Sequence, residues 1–250
     1  MKLTGRTALV TGASKGLGAA IAELLGREGC KVGVNYAGDA AGAAETVAAV
    51  EAAGGEAIAL QCDISDETAV TAMVQTMQER FGTVDLLVNN ARIDPYKRPA
   101  TMSDADWWDK TLSVNLKGAY LCAMAVWDGM VAQKLGRIVN VSSVWAYWGA
   151  TFKMLPYSVA KAGMHALTRG LATEGAPLGI NVNTVAPGLI ITKAIGTRLT
   201  DEQIEDAKRE VPLQRGATPE EIAESVLFAL GSNFTTGEAI NINGGVWMGA

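Results

Sequence analysis

The chain has 250 residues, 49% of them hydrophobic, with 28 glycines spread throughout, a composition that excludes a disordered chain and suits a well-filled core joined by tight turns. Its formal charge is −5, its sequence pI is near 5.0, and no stretch concentrates Lys and Arg, so nucleic acid and an anionic membrane face are excluded as partners and a small molecule is left. With His165 the only histidine, a zinc site or histidine-based triad has almost no material. Cys30, Cys62 and Cys122 are odd in number and without C-x-x-C spacing, which reads as reduced buried thiols of a cytoplasmic protein. No apolar signal core follows Met1 and no window reads as a membrane span.

In chain order, Thr7-Ala8-Leu9-Val10 is a short apolar run that stops at Thr11-Gly12-Ala13-Ser14-Lys15-Gly16-Leu17-Gly18, followed by a helical pattern through Gly29. Strand, glycine turn and helix form the arrangement in which the backbone approaches a pyrophosphate and the helix N-terminus meets it with N–H groups. Residues 31–35 read as the next strand, which ends Asn35-Tyr36-Ala37 without the acid that would hold the ribose of NAD. Lys15 could then meet a 2′-phosphate, which favours NADP(H) over NAD(H), while Asp39 keeps NAD(H) open.

The alternation continues with helices over residues 42–53 and 67–81 and strands over 57–61 and 85–88, short and apolar as buried parallel strands are. Asp63 and Ile64 follow the third strand, and Asn89-Asn90-Ala91 ends the fourth. A helix is predicted over residues 104–133, carrying Asn115, whose amide needs partners such as a backbone carbonyl and an ordered water; Trp107 and Trp108 on it read as packing. A strand over 137–141 delivers Ser142-Ser143, and one over 180–185 leads to Pro187-Gly188-Leu189-Ile190-Ile191-Thr192. Residues 192–214 read as irregular and partly helical. Thr218-Pro219-Glu220-Glu221 opens another helix with an N-cap and first-turn acids, and residues 238–242 make a seventh strand. No repeat or linker interrupts the chain, which reads as a single α/β domain over 1–250.

The stretch that carries chemistry is Pro156-Tyr157-Ser158-Val159-Ala160-Lys161. On a helix over residues 157–174, Tyr157 and Lys161 stand at i and i+4 on one face. An ammonium beside a phenol is expected to lower its pKa and make Tyr157 a general acid/base.

With Thr11-Gly12-x-x-x-Gly16-x-Gly18, Asn89-Asn90-Ala91, Ser143, Tyr157-x-x-x-Lys161, Pro187-Gly188 and the closing Thr236-Gly237 and Asn243-Gly244-Gly245 in this order, the chain resembles the short-chain dehydrogenase/reductase family over nearly its whole length. Within that family it is most similar to the 3-oxoacyl-carrier-protein reductase group. The resemblance implies a doubly wound, seven-stranded parallel sheet with helices on both faces and a homotetramer. It also implies that Asn115, Ser143, Tyr157 and Lys161 form the catalytic set, with Ser143 rather than Ser142 as its serine. Gly12, Ser14, Lys15, Leu17, Asp63, Ile64, Asn90, Tyr157, Lys161 and Ile190 would line the dinucleotide site, with Gly16, Gly18, Tyr36, Pro187, Gly188 and Thr192 as further candidates. Residues 188–215 would cover the substrate.

Two features depart from that group. Its Asn-Asn-Ala-Gly is here Asn-Asn-Ala-Arg92, so a long cation either swings out to solvent or reaches over the pocket toward a carboxylate or phosphate. Trp145, Tyr147, Trp148 and Phe152, with Tyr96 facing them, form either a broad apolar slot for a bulky or aromatic ketone or packing against core or subunit. Leu178 replaces an arginine of that group's carrier-docking face, although Lys134 keeps the other basic position. These features favour a reductase of free ketones, or dehydrogenase of secondary alcohols, over a carrier-bound 3-oxoacyl chain. A non-catalytic dinucleotide-binding sensor is the alternative of another class, and the complete Asn, Ser, Tyr and Lys set argues against it.

Overall fold

The computed structural model describes residues 1–193, 195–197 and 199–249. Strand β1 (Thr7–Val10) is apolar and wholly buried, and it turns through glycines into helix α1 (Gly16–Arg27). The alternation runs on through β2 (Lys31–Tyr36), α2 (Ala40–Ala52), β3 (Glu56–Gln61), α3 (Glu67–Phe81) and β4 (Leu86–Asn89). Then follow α4 (Asp104–Leu112), α5 (Gly118–Gln133), β5 (Gly136–Val141), α6 (Leu155–Gly175), β6 (Ile180–Pro187), α7 (Asp201–Arg209), α8 (Pro219–Gly231) and β7 (Ala239–Ile242).

The seven strands form one sheet in the order β3-β2-β1-β4-β5-β6-β7, and each of the six pairings is parallel. Parallel strands need crossover helices, which cover both faces and bury the strands on both sides. One core holds Ile21 and Leu25 of α1, Val50 of α2 and Ile222 and Val226 of α8 against Val10, Val34 and Val88. The opposite core holds Val70 and Met77 of α3, Cys122 and Val126 of α5 and Leu171 of α6 against Leu9, Leu87 and Ile138. Chain order reverses between β1 and β4, and at such a switch point the loops leave in opposite directions and open a crevice at the carboxyl ends.

Most elements lie within a residue or two of their sequence expectation, with one break. The helix expected over residues 104–133 is interrupted at Ser113–Lys117, where one wider π-helical turn separates α4 from α5. Asn115 sits in that turn, 1% exposed. Insertions of this kind arise where a side chain is turned to a task that a regular helix would not allow. Immediately after it, a Cβ on Gly118 would come within 2.7 Å of the Ile64 side chain, so α5 starts hard against the end of β3.

Helix α6 begins two residues before its expected start, with Pro156 in its first turn. Proline tolerates that place because its missing N–H is one that the helix cannot bond. Beneath the site a buried polar chain ties four elements together. Asn89 Nδ2 donates to Asn140 Oδ1 at 2.9 Å, Asn140 Nδ2 to Thr168 Oγ1 at 2.8 Å, and Thr168 bonds Thr184 at 2.7 Å. Trp107 is buried in α4 as packing, as its sequence context implies.

Candidate active site

The carboxyl ends of β1, β2, β4, β5 and β6 border a cleft of about 1710 Å³, roughly twice a drug-sized pocket of the order of 300–1,000 Å³. Its floor at one end is the glycine turn. Gly12, at φ +61, faces Ala91 so closely that a Cβ would lie 2.7 Å from the Ala91 Cα. A Cβ on Gly18 would strike the Gly12 carbonyl and lie 2.5 Å from Asn90 Nδ2. These two glycines let the β1 and β4 loops touch. Gly16, at φ +58, faces the open cleft, with only Thr192 near.

The first turn of α1 has no side-chain cap and no acidic residue, so its N–H groups and the positive end of its dipole are left for an anion. Each cofactor position expected from the sequence lines this cleft. Ser14, Lys15 and Leu17 lie along the turn, Tyr36 at the end of β2, and Asp63 and Ile64 after β3. Asn90 closes the middle, while Pro187, Gly188, Ile190 and Thr192 form the opposite lip. A dinucleotide fits this donor set.

Two residues of the support stand in stretches that the sequence marked, but it gave neither a role. Asn35 Oδ1 accepts from Gly12 N at 3.1 Å, and its amide donates to the Leu60 and Cys62 carbonyls. Thr11 Oγ1 accepts from the N–H groups of Asn90 and Ala91, each at 3.0 Å. A polar residue inside an apolar strand run is the signal that could have found both, since buried polar groups must be bonded. Asp39, weighed from sequence only for its charge, caps α2 through Gly42 N at 3.1 Å and holds Lys15 Nζ at 2.7 Å. The two partners together keep its carboxyl below the usual range.

At the other end, Tyr157, Lys161 and Ser143 converge. The Tyr157 hydroxyl hydrogen-bonds the Ser143 side chain. Ser142 instead donates to the Lys161 carbonyl at 2.9 Å and, with its proton so used, accepts from His165 Nε2 at 2.9 Å. Burial, with Arg169 and Lys161 nearby, keeps that imidazole neutral. Asn115 lies behind the cleft wall rather than on it, and its Oδ1 accepts from Ile93 N at 2.7 Å. Its Nδ2 is buried without a partner among the described residues, a donor that costs free energy unless it is met.

The expected effect of Lys161 on the phenol is not what this geometry gives. Lys161 Nζ donates to the Val141 carbonyl at 2.7 Å and lies 5.7 Å from the Tyr157 ring centroid. Burial raises the Tyr157 pKa above its ordinary value of 10.0, against which Arg92 and the Ser143 hydrogen bond pull only partly. Burial first and the like charge of Arg92 second bring Lys161 down to about 7. Desolvation disfavours the charged form of either group, so at neutral pH Tyr157 holds its proton and Lys161 is about half charged.

Of the four residues expected on the substrate, the structure brings two to the cleft. Trp145 lines it, edge to face with Trp148 at 5.5 Å between centroids, and Arg92 lines it from the loop after β4. Tyr147 instead stacks on Trp247 at 5.0 Å and meets His165 edge on, and Phe152 is 95% exposed. The slot read from four aromatics is therefore a wall of Trp145 and Trp148 in a cleft that Tyr96 also lines. From residues 188–215, Leu199, Gln203, Asp206, Glu210 and Val211 also border the cleft; Ala194 and Arg198 lie outside the described residues.

A family model described as enoyl-(acyl carrier protein) reductase matches residues 12–247. The 3-oxoacyl-[acyl-carrier-protein] reductase of Staphylococcus aureus is 38% identical over 250 residues, covering 99% of this chain and all of that one.

The chain belongs to the short-chain dehydrogenase/reductase family.

Glucose 1-dehydrogenase 2 of Bacillus subtilis is 35% identical over 98% of this chain and 96% of its own. A variant of a Serratia marcescens short-chain dehydrogenase/reductase superposes with a TM-score of 0.87 at 30% identity, over 98% of this chain and 99% of that chain. As a short-chain dehydrogenase/reductase, the protein is an oxidoreductase of the ketone and CH–OH couple that uses a nicotinamide cofactor.

Proposed function

We propose that the protein interconverts ketones and secondary alcohols that are free small molecules, with Tyr157 as the group that gives and takes the proton. The observation that carries this reading is the buried Tyr157 phenol, hydrogen-bonded to Ser143 at the end of a dinucleotide-sized cleft. The bound nicotinamide supplies hydride exchange with the carbonyl carbon. Ser143 and Tyr157 hold the carbonyl oxygen, and as charge develops there Tyr157 passes its proton to it. Lys161, anchored by Val141, stands where it can bond the ribose hydroxyls. Asn115 fixes the backbone beside the reacting groups through Ile93, and its free amide suits an ordered water that relays protons toward Lys161. Replacing Tyr157 with Phe is expected to lower turnover by on the order of 10³-fold while cofactor affinity, read by fluorescence titration, stays near that of the unaltered enzyme. Near-normal turnover would discard the role.

The choice between NADP(H) and NAD(H) falls on Lys15 and Asp39. The sequence favours NADP(H) through Lys15, but that ammonium is taken by Asp39. Exposed pairs of this kind are weak, so Lys15 can be drawn off. Asp39 cannot, being fixed as the cap of α2, and a carboxylate there accepts from ribose hydroxyls and repels a 2′-phosphate. The pair therefore supports NAD(H) ahead of NADP(H). Asp39→Ser keeps a capping side chain and is expected to raise the NADPH to NADH ratio of kcat/KM about tenfold, roughly the effect of one screened charge; an unchanged ratio would place the selection elsewhere.

Reduction of carrier-bound 3-oxoacyl chains is the second reading, supported by the 38% identical relative. Against it, Leu178 leaves an exposed apolar side chain at a docking position, on a chain of charge −5, whereas acidic carriers need a basic face. Turnover of acetoacetyl thioesters in preference to bulky aryl ketones would reverse the order. We also propose a homotetramer and a cytoplasmic location. Exposed Tyr120, Val159 and Phe228 on helix surfaces support the first, and three separate buried thiols the second.

A further inference from the structure

Arg92 is mounted on a fixed piece of backbone. The N–H of Ala91 before it bonds Thr11 Oγ1 at 3.0 Å, and the N–H of Ile93 after it bonds Asn115 Oδ1 at 2.7 Å. The side chain between these anchors borders the same cleft as Ser143 and Tyr157, and it is 36% exposed. Its charge is felt at both Tyr157 and Lys161, so the guanidinium stands close to the reacting end and not out in bulk solvent. Its approach to Asp94 is 4.0 Å, too long for a hydrogen bond, and among the described residues it donates none. A guanidinium carries five donors in a planar fork that matches a carboxylate. The like charge of Arg92 weighs against a charged Lys161, and Asp94 at 4.0 Å offsets it only in part, so an anion of the substrate would relieve that repulsion. Tyr96, Trp145 and Trp148 line the same cleft and provide apolar surface for the rest of the molecule.

We infer that the substrate is an oxo acid, or in reverse a hydroxy acid, whose carboxylate pairs with Arg92 while its carbonyl oxygen lies on Ser143 and Tyr157. This rests on the ketone and alcohol reading of the site and narrows its substrate class. Arg92 is then a specificity residue; the carboxylate undergoes no bond change.

Two measurements test it on the full chain. In the first, initial rates are compared for phenylpyruvate and its ethyl ester, and for acetoacetate and ethyl acetoacetate, with the unaltered enzyme, Arg92→Met and Arg92→Lys. The acids are expected to be preferred. Arg92→Met should lower the acid to ester ratio of kcat/KM by on the order of 100-fold, as truncation of one partner of a close charge pair does, mostly through KM, with Arg92→Lys recovering part of it. Esters used as well as acids, an equal loss for both in Arg92→Met, or preference for a phosphorylated ketone such as dihydroxyacetone phosphate would overturn the assignment. In the second, phenylpyruvate is titrated calorimetrically into enzyme saturated with oxidised cofactor. Binding that Arg92→Met abolishes, without turnover in any assay, would keep the anion site and sink the reductase reading; no binding in the unaltered enzyme would sink the anion site alone.

Discussion

Tyr157 and Lys161 stand one helical turn apart, and yet burial, more than their proximity, sets their charges. The phenol is raised and the amine lowered, each toward its neutral form, because the desolvated end of the cleft disfavours both ions. The sign matters for direction. A tyrosine raised above 10.0 is protonated throughout the neutral range and is ready to donate in reduction. Oxidation needs the phenolate, whose fraction grows about tenfold per pH unit below the pKa. The kcat/KM for alcohol oxidation should therefore climb steadily from pH 7 to pH 10, while reduction stays flat around neutrality, as initial rates in both directions would record. Lys161 does not counter this trend, since it loses its charge as pH rises through about 7. A plateau in oxidation below pH 8 would mean that the phenol is acidic in the working complex.

Among the elements, the π-helical turn between α4 and α5 and the capped start of α8 show two ways of fixing position. The first inserts a residue so that Asn115 turns to the loop that carries Arg92. The second is local chemistry. Thr218 Oγ1 accepts from Glu221 N at 3.3 Å, and Glu221 accepts in return from Thr218 N at 2.9 Å. Arg215 grips the same carboxylate with two donors, at 2.8 and 2.6 Å, and these bonds push Glu221 down to about 2. Helix α8 then buries Ile222, Val226 and Leu230 against α1. Loss of a cap costs about 1 kcal/mol, so Thr218→Ala should lower Tm by about 2–4 °C for a chain of this size, read by scanning calorimetry, with catalytic constants little changed. A larger loss would mean that the cap also holds the lip around Ala217, whose carbonyl bonds Ile191 N at 2.8 Å.

At the scale of the whole molecule, the sheet leaves several large apolar side chains outside. Tyr120 on α5 is 46% exposed, Phe228 on α8 62% and Phe234 just beyond it fully exposed. Single exposed apolar groups are ordinary, but aromatics on helices of the two opposite faces of one sheet suit two separate self-contacts. Two such contacts at right angles would close a tetramer, and light scattering should then give about four times the 26.1 kDa of one chain. Charges placed on α8, for example Phe228→Glu, should reduce that mass by half; an unaltered mass would remove α8 from the assembly. No helix among the described residues is long and apolar enough to cross a membrane.

Local pattern was enough for the alternation of strands and helices, the glycine turn and the Tyr157 to Lys161 spacing, because each is written in a few consecutive residues with a fixed period. It also placed the expected cofactor positions on one cleft, since loops at the carboxyl ends of parallel strands must converge. What needed the folded chain was every relation between residues distant in sequence and the balance of charge at the site. Tyr147 and Phe152 share a segment with Trp145 yet leave the cleft: after the short 3₁₀ turn at Val144–Ala146, Tyr147 is drawn onto Trp247, and Phe152 stands in solvent. Lys15 is engaged by Asp39 across 24 positions, and the pKa of Tyr157 answers to burial and Arg92 more than to its helical neighbour. Sequence fixes which groups are near along the chain, whereas desolvation and long-range pairing depend on which surfaces the sheet brings together.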